Sequence, residues 1–190
     1  MGGIVSSNRG VYGDYTIIEG HKDLMMTPPE SAQEIIDWCM TFIGEHDTVL
    51  EPFKGKGALY DLISNEKFYC EIDEGIDFFT YTKRVDWVIS NPPFRVLHKG
   101  EAINAFIKII NATMGLCDKG FFYLVNHKLW SSLTVKRLKE WERDGWVISA
   151  IKVMEIKKWY GRYYVVMFQK GGKGILSFGS IESDGGKEWL

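Results

Sequence analysis

The sequence has few cysteines and no long hydrophobic run. Its 190 residues include three cysteines, Cys39, Cys70 and Cys117, which form no CxxC pair. An odd, unclustered set does not suit a disulfide framework and is typical of a reducing compartment, so we expect a cytoplasmic protein. No apolar run approaches the roughly 20 residues that a membrane span needs, and no secretory signal is evident. We therefore expect neither a secreted disulfide scaffold nor a membrane protein.

Several ligand-binding signatures are missing as well. The chain has four histidines, and no cluster of residues shows the spacing of metal ligands, so we expect no metal. The glycine-containing stretch at residues 51–57, EPFKGKG, is neither the GxGxxG of a dinucleotide fold nor a Walker loop. The sequence therefore does not predict a nucleotide site with a phosphate-binding loop.

The net charge of −2 conceals an uneven distribution along the chain. Residues 1–94 contain 7 Lys and Arg against 16 Asp and Glu, whereas residues 95–173 contain 15 against 6. An acidic half followed by a basic half favours a cationic cofactor together with a polyanionic substrate, although solvated protein faces are often uneven in charge too.

Strand patterns alternate with helical patterns, which predicts an α/β fold. A helix over residues 27–43 should begin with a capping box formed by Thr27 and Glu30. Residues 1–25 are glycine-rich and irregular, and residues 172–190 read as a flexible tail. The last two strands share a short connection and should be antiparallel. The seven predicted strands are residues 48–53, 67–73, 77–82, 86–93, 120–126, 146–154 and 163–170. The other predicted helices are residues 54–63, 101–114 and 134–145.

Acidic residues lie near the carboxyl ends of the first two predicted strands, where ligands bind in such sheets. Glu51 precedes Gly55 and Gly57, which allow tight turns and close approach of a ligand. About 20 residues later, Glu71 stands where a carboxylate can bond ribose hydroxyls, and Asp77 beside Phe78 can accept from an adenine amino group. A carboxylate-rich pocket of this kind suits a positively charged nucleoside.

The stretch VDWVISNPPF ends a buried strand in Asn91, Pro92, Pro93 and Phe94. Prolines fix φ and donate no backbone hydrogen bond, so they hold nearby carbonyls in place. The Asn91 side-chain oxygen and the Pro92 carbonyl can accept the two N–H groups of a planar amine and localise its lone pair. Phe94 would stack on the ring that carries this amine.

The ordered set TPPE, EPFKGKG, EID, DFF and SNPPF resembles the S-adenosylmethionine (AdoMet)-dependent amino-methyltransferases, and within them the N6-adenine class. The resemblance covers residues 27–94. It implies a Rossmann-like, seven-stranded, mostly parallel sheet with an antiparallel last strand and helices on both faces, in a methyltransferase domain at residues 26–171. It also implies that AdoMet is the cofactor. The residues that it implies for the cofactor pocket are Thr27, Glu51, Pro52, Phe53, Gly55, Gly57, Glu71, Ile72, Asp77 and Phe78.

The sequence departs from this family in three respects. Phe94 stands where Tyr is commoner in the DNA enzymes. Lys54 and Lys56 place positive charge near a sulfonium site, so we expect both to point to solvent. No separate target-recognition domain fits, which leaves room for a partner subunit. Substrate contacts are expected at Arg95, His98, Lys99, His127, Lys128, Trp130, Lys157, Lys158, Trp159, Tyr160 and Arg162.

We therefore expect methyl transfer from AdoMet to the N6 amino group of adenine in nucleic acid, with DNA slightly ahead of RNA. Two alternatives stay open. One is a glutamine N5-methyltransferase acting on protein, since a carboxamide poses the same problem of a delocalised nitrogen. The other is a non-catalytic subunit of the same fold that binds nucleic acid or activates a partner.

Overall fold

The computed structural model describes residues 15–16, 26–93, 95–98, 101–157 and 159–179, and the account below concerns these residues. In chain order, the strands and α-helices are β1 (Tyr15–Thr16), α1 (Pro29–Met40), β2 (Val49–Glu51), β3 (Lys67–Tyr69), β4 (Val85–Ser90), β5 (Arg95–His98), β6 (Glu101–Asn104), α2 (Phe106–Leu116), β7 (Cys117–Asn126), α3 (Lys128–Ser132), α4 (Val135–Arg143), β8 (Trp146–Met154) and β9 (Tyr163–Lys170).

The main sheet of the described chain has six strands in the order β3-β2-β4-β7-β9-β8. β3, β2, β4 and β7 are parallel neighbours, and β9 is antiparallel to both β7 and β8. The mostly parallel sheet with a reversed last strand confirms the predicted architecture. The number of strands was wrong, because six are present where seven were expected.

The missing strand was predicted at residues 77–82. Instead, Phe78–Thr80 form a single 3₁₀ turn, and Asp77 caps it by accepting a hydrogen bond from the Phe79 amide at 2.9 Å. Of the three residues in the turn, Phe78 is buried. A locally capped turn competes with extended structure wherever an Asp can bond the backbone two residues on, and here the turn prevails.

Other elements also differ from the prediction: α3 was not predicted, and the strands predicted at 48–53 and 86–93 end at Glu51 and Ser90. In place of a helix at residues 54–63, the chain makes turns and a 3₁₀ helix at Tyr60–Leu62. The predicted strand at 67–73 ends at Tyr69 and is followed by a 3₁₀ helix at Ile72–Glu74. Residues 101–104, predicted as the start of a helix, form strand β6, which pairs with β5 in a small sheet of order β1-β5-β6.

Helices cover both faces of the main sheet. On β7, Phe122 faces α1, where its ring centroid lies 5.8 Å from that of Trp38. Its neighbours point the other way: Tyr123 shares a hydrogen bond with Thr113 of α2, and Phe121 stacks on Phe168 at 4.6 Å, which in turn meets Trp141 of α4. Because both faces are covered, β4 and β7 each contain a buried apolar run without alternation, at residues 87–89 and 120–125.

Residues 171–179, the described part of the chain beyond β9, contact the sheet without forming a helix or strand. The Ile175 amide donates to the Ile148 carbonyl of β8 at 2.9 Å, and Leu176 packs on the core. The domain boundary at residue 171 stays a prediction. Among the described helices, none is long and apolar enough to cross a membrane.

Candidate functional site

The candidate residues meet at the carboxyl ends of β2 and β4, which are parallel neighbours in the sheet. Glu51 ends β2 and Ser90 ends β4, and the Ser90 hydroxyl donates to Glu51 Oε1 at 3.4 Å. Asn91 comes next, and its Nδ2 donates to Thr27 Oγ1 at 3.2 Å. Residues from three separate parts of the sequence therefore come together at one edge of the sheet.

Thr27 reaches this site because it does not cap α1. The residue at the N-cap position is Pro28, which makes no side-chain capping bond, and α1 begins at Pro29. The predicted capping box with Glu30 is therefore wrong. The consecutive prolines hold the chain extended before the helix, so the buried Thr27 hydroxyl points to Asn91 instead.

Glu51 is a buried acid with unused hydrogen-bonding capacity. Its residue is 2% exposed, and Oε2 has no hydrogen-bond partner among the described residues. Burial raises the pKa of the Glu51 carboxyl well above its usual value, whereas the hydrogen bond from Ser90 lowers it. Such a carboxyl favours a ligand that can donate a hydrogen bond to it or place a positive charge beside it.

The glycine turn lies directly against Glu71. Gly55 and Gly57 have φ of 53° and 83°, in the left-handed region that favours glycine. The Gly55 amide donates to Glu71 Oε2 at 2.6 Å, and the Asp73 amide donates to Oε1 at 3.1 Å. These bonds fix the Glu71 carboxylate beside the turn while leaving further lone pairs on both oxygens.

An aromatic wall borders the same region. Phe78 is buried, and its ring centroid lies 5.1 Å from that of Phe53 in an edge-to-face arrangement. Asp77 immediately precedes Phe78, and its Oδ2 is not used by the capping bond. Pro52, next to Phe53, is buried, and Ile72, next to Glu71, is half-buried. Apart from Thr27 before α1 and Glu51 at the end of β2, the predicted cofactor residues thus lie in the turns that follow β2 and β3.

The Lys54 side chain does not simply point to solvent, as was expected, but contacts two other side chains. Its Nζ lies 3.0 Å from Glu74 Oε1 and 3.9 Å from the centroid of the Tyr69 ring. The Tyr69 hydroxyl donates to the other Glu74 oxygen at 2.8 Å. These partners raise the pKa of Lys54, and Tyr69 and Lys54 lower that of Glu74. Lys56, in contrast, is exposed as expected.

Two of the predicted substrate clusters meet beside the site. β7 ends opposite the start of β9, and the His127 amide donates to the Arg162 carbonyl at 3.2 Å. Trp130 is half-buried against Tyr164, so it packs on the core rather than presenting a free face. The exposed members of the two clusters are His127, Lys128, Lys157, Tyr160 and Arg162.

Some predicted residues cannot be placed. Phe94, Lys99 and Lys158 lie outside the described residues, and only the backbone of Arg95 and His98, in β5, is described. The described residues contain no group of three or more His, Cys, Asp or Glu that could hold a metal ion.

Sequence reasoning missed three residues of the site. Ser90 could have been found, since it directly precedes Asn91 at the end of a buried strand. Tyr69 and Glu74 gave no such signal, because their contact with Lys54 depends on the pairing of β2 with β3.

Several solved structures of similar fold are methyltransferases or their subunits. A candidate RNA methyltransferase from Pyrococcus horikoshii aligns over 76% of this chain and 85% of its own, with 19% identity and a TM-score of 0.55. A candidate class I S-adenosylmethionine-dependent methyltransferase from Listeria monocytogenes aligns over 83% of this chain and 64% of its own, with 13% identity and a TM-score of 0.61.

A modification subunit of a candidate type I restriction enzyme from Vibrio vulnificus aligns over 82% of this chain, with 15% identity and a TM-score of 0.56. This chain spans 46% of that subunit's length. No protein-family model and no curated protein sequence matches the chain. The comparisons therefore show a Rossmann-like methyltransferase fold, at identities too low to show more than the fold.

Proposed function

We propose that this chain is an AdoMet-dependent methyltransferase that methylates the N6 amino group of adenine in nucleic acid, with DNA slightly favoured over RNA. The observation that carries the proposal is the place of Asn91-Pro92-Pro93. This rigid segment extends from the carboxyl end of β4. The Asn91 side chain donates a hydrogen bond to Thr27, and the preceding Ser90 donates one to Glu51. In an open α/β sheet this edge is where ligands bind.

The residues present fit AdoMet on two observations. Glu51 Oε2 is buried without a hydrogen-bond partner in the described chain, and the α-ammonium of a methionine moiety would provide both a donor and a positive charge. Gly55 and Gly57 both have positive φ and carry no side chain of their own, so the backbone of this turn can approach a ligand closely. Glu71 and Asp77 would hold the ribose and the adenine, with Phe78 beside the ring. AdoMet would supply an electrophilic methyl group bonded to sulfur.

The chain's own contribution at the target nitrogen is electrostatic. Pro92 and Pro93 are buried, so the segment that carries the Asn91 side chain and the Pro92 carbonyl is fixed before substrate arrives. Two oxygen acceptors on the two N–H bonds of the exocyclic amine would localise the nitrogen lone pair for in-line attack. With AdoMet bound, the attacking nitrogen would form the new C–N bond as the C–S bond breaks, and one N–H proton would then pass to water.

The test offers AdoMet with a labelled methyl group to double-stranded DNA, single-stranded DNA, structured RNA and a protein extract. The expected result is label in nucleic acid, recovered as N6-methyladenine after digestion. Asn91→Ala should abolish this transfer while AdoMet binding, followed by calorimetry, persists. Gln33→Ala, which removes an exposed amide from α1, is the matched control and should transfer at the wild-type rate.

Three other outcomes of this experiment would favour a different function or overturn the proposal. Label found only in protein would favour methylation of a glutamine side chain. AdoMet binding without transfer to any of the four substrates would favour a non-catalytic subunit. Failure to bind AdoMet at all would overturn the proposal.

A further inference from the structure

One aromatic ring of the described chain stands almost entirely in solvent. Tyr160 is 98% exposed, the largest exposure among the exposed hydrophobic residues. An aromatic ring contributes most to stability when it is buried, so a ring held clear of the protein gains little from folding. Packing in the core therefore does not explain why the Tyr160 ring is exposed.

The segment that carries Tyr160 is braced by its neighbours. The Tyr163 hydroxyl donates to the Tyr160 carbonyl at 3.0 Å, and the Trp159 amide donates to the Ile156 carbonyl at 3.1 Å. The Trp159 ring packs edge-to-face on Tyr163, with centroids 5.0 Å apart. The backbone on either side of Tyr160 is thus anchored to the start of β9 while the ring projects outward.

Exposed cations lie near Tyr160 in the chain and at the same edge of the sheet. Lys157 and Arg162 are exposed on either side of it in the chain, and the His127–Arg162 backbone bond brings exposed Lys128 to the same edge of the sheet. Glu155 is the exposed carboxylate of the segment. Three cations against one carboxylate leave this surface positive, as a phosphate backbone requires.

The surface lies within reach of the target-base site. Ser90 pairs with Tyr123, and Tyr123 pairs with Val166, so β9 is two strand spacings from β4, about 10 Å. Tyr163 lies three residues beyond Val166 toward the same edge, again about 10 Å. The direct separation of Ser90 and Tyr163 is then about 14 Å, or about four nucleotides at duplex rise and fewer in a stretched strand.

We propose that Tyr160, flanked by Lys157 and Arg162, is a stacking platform for an unpaired base of the nucleic-acid strand that delivers the target adenine. This inference rests on the proposed function and narrows its substrate to single-stranded or locally opened nucleic acid. Bases in an intact duplex stack on one another and offer no free face, whereas every unpaired base offers one to an aromatic side chain.

The experiment measures binding separately from methylation. Fluorescence anisotropy is used with a labelled single-stranded oligothymidine, which lacks adenine, and with a G·C duplex of the same length. The wild type should prefer the single strand. Tyr160→Ala should weaken single-strand binding by about fivefold or more, and Tyr160→Phe should bind as the wild type does because its ring can still stack.

Salt dependence separates stacking from charge. Lys157→Gln should reduce the slope of log K against log salt by about 0.7, whereas Tyr160→Ala should leave the slope unchanged. Val153→Ala, at an exposed apolar residue of β8, is the control and should bind as the wild type does.

Four results would overturn the platform: no oligonucleotide binding by the wild type, equal binding of duplex and single strand, wild-type binding by Tyr160→Ala, or a changed salt slope in that variant. The two proposals fail separately. If nucleic acid is labelled but Tyr160→Ala binds normally, the function stands and the platform falls. If Tyr160-dependent binding occurs but nothing in nucleic acid is labelled, the platform stands and the function falls.

Discussion

At the residue scale, Glu51 is a carboxyl group whose burial is unfavourable for folding. Its carboxyl is buried at the end of β2, and burial raises its pKa well above the usual value. A carboxyl of this kind stays protonated in the folded protein at a pH where it ionises in the unfolded chain. Folding stability therefore depends on pH through this one group.

The first prediction concerns this pH dependence. Above about pH 4.5, the unfolded chain releases the Glu51 proton while the folded chain keeps it, so the unfolded state binds fewer protons. The free energy of unfolding should then fall as pH rises toward the folded-state pKa, by up to about 1.4 kcal/mol per pH unit from this group. Glu51→Gln cannot ionise and should lack this component.

Urea denaturation of both proteins across a pH series, without ligand, measures the difference. The wild type should lose stability relative to Glu51→Gln as pH rises from about 4.5. Parallel curves for the two proteins would show that Glu51 ionises as easily in the folded state as in the unfolded chain.

The residues of the candidate site differ in how far sequence could place them. Glu51 and Asn91 were predictable, because each directly follows an apolar strand and such residues meet at one sheet edge. Thr27 was placed at this site by family resemblance, but its predicted capping bond was wrong. Lys54 was misjudged because its partner, Glu74, lies 20 positions away and is brought close by the pairing of β2 with β3.

At the scale of elements, Lys54 and Glu74 join the two turns of the proposed cofactor pocket. Lys54 belongs to the glycine turn after β2. Glu74 belongs to the 3₁₀ helix after β3, and Glu71 directly precedes that helix. Their ion pair, shared with the Tyr69 hydroxyl, lies next to the bond from the Gly55 amide to Glu71. The pair should therefore help to hold Glu71 where it would meet a ribose.

The second prediction is that loosening this link weakens AdoMet binding without slowing transfer. Glu74→Gln and Lys54→Met should each raise the KM for AdoMet by about two- to fivefold, as expected for an exposed ion pair, and leave kcat nearly unchanged. Calorimetry of AdoMet binding and steady-state kinetics provide the two readouts.

Glu34→Gln supplies the matched control for this experiment. It breaks the Lys152–Glu34 pair, also 3.0 Å long, which joins α1 to β8. Its affinity for AdoMet should equal that of the wild type. An unchanged affinity in Glu74→Gln, or an equal loss in Glu34→Gln, would show that the Lys54 pair does not position Glu71.

The third prediction concerns the contact between β7 and its neighbours. A Cβ added at Gly120 would lie 2.6 Å from the Phe168 carbonyl oxygen and 2.6 Å from Trp87 Cζ3. Neither the backbone of β9 nor a buried indole can move away cheaply. Gly120→Ala should therefore destabilise the protein by about 1–3 kcal/mol, as overpacking of a core does.

Gly115→Ala is the control, because nothing lies within 4 Å of the added Cβ and the residue belongs to α2. The better helix propensity of alanine should make this variant as stable as the wild type, or more stable by up to about 1 kcal/mol. Denaturant midpoints measure both. A Gly120→Ala protein as stable as Gly115→Ala would contradict the close packing of β7.

Elements with a strong internal pattern were predicted well, and those defined by distant partners were not. β8 and β9 have the predicted bounds, because alternating and continuous apolar runs are local signals. β6 was read as the start of a helix, since pairing with β5 cannot be seen within its four residues. The helix predicted at residues 54–63 does not form because its two glycines adopt left-handed turns.

At the scale of the whole molecule, the strand order separates the strands of the acidic half from most strands of the basic half, whereas α1, from the acidic half, packs on β7 and pairs with Lys152 of β8. β2 and β3, from the acidic half of the chain, lie on one side of β4, and β7, β9 and β8, from the basic half, lie on the other. Asn91 leaves β4 at the boundary between them. A cation on one side and a polyanion on the other would both be favoured, and they would meet at Asn91.

The far edge of this sheet is strand β8, which is partly covered by the chain that follows β9. The Ile175 amide donates to the Ile148 carbonyl of β8 at 2.9 Å. Leu176 adds an apolar contact with the core. Since unpaired edge strands invite association with other chains, these residues should stabilise and protect β8.

The last prediction tests this role, and with it the proposed boundary at residue 171. Ending the chain after Gly171 removes the Ile175 bond and the Leu176 contact. A loss of about 1–2 kcal/mol is expected for one hydrogen bond and a partly buried side chain, which lowers Tm by about 2–8 °C. Light scattering should also show increased self-association. Ile175→Pro, which removes this donor together with the Ile175 side chain, should reproduce part of the Tm loss. If the chain ending at Gly171 melts at the wild-type temperature and stays as monodisperse, residues 172–179 contribute nothing to the sheet and the boundary lies where the sequence placed it.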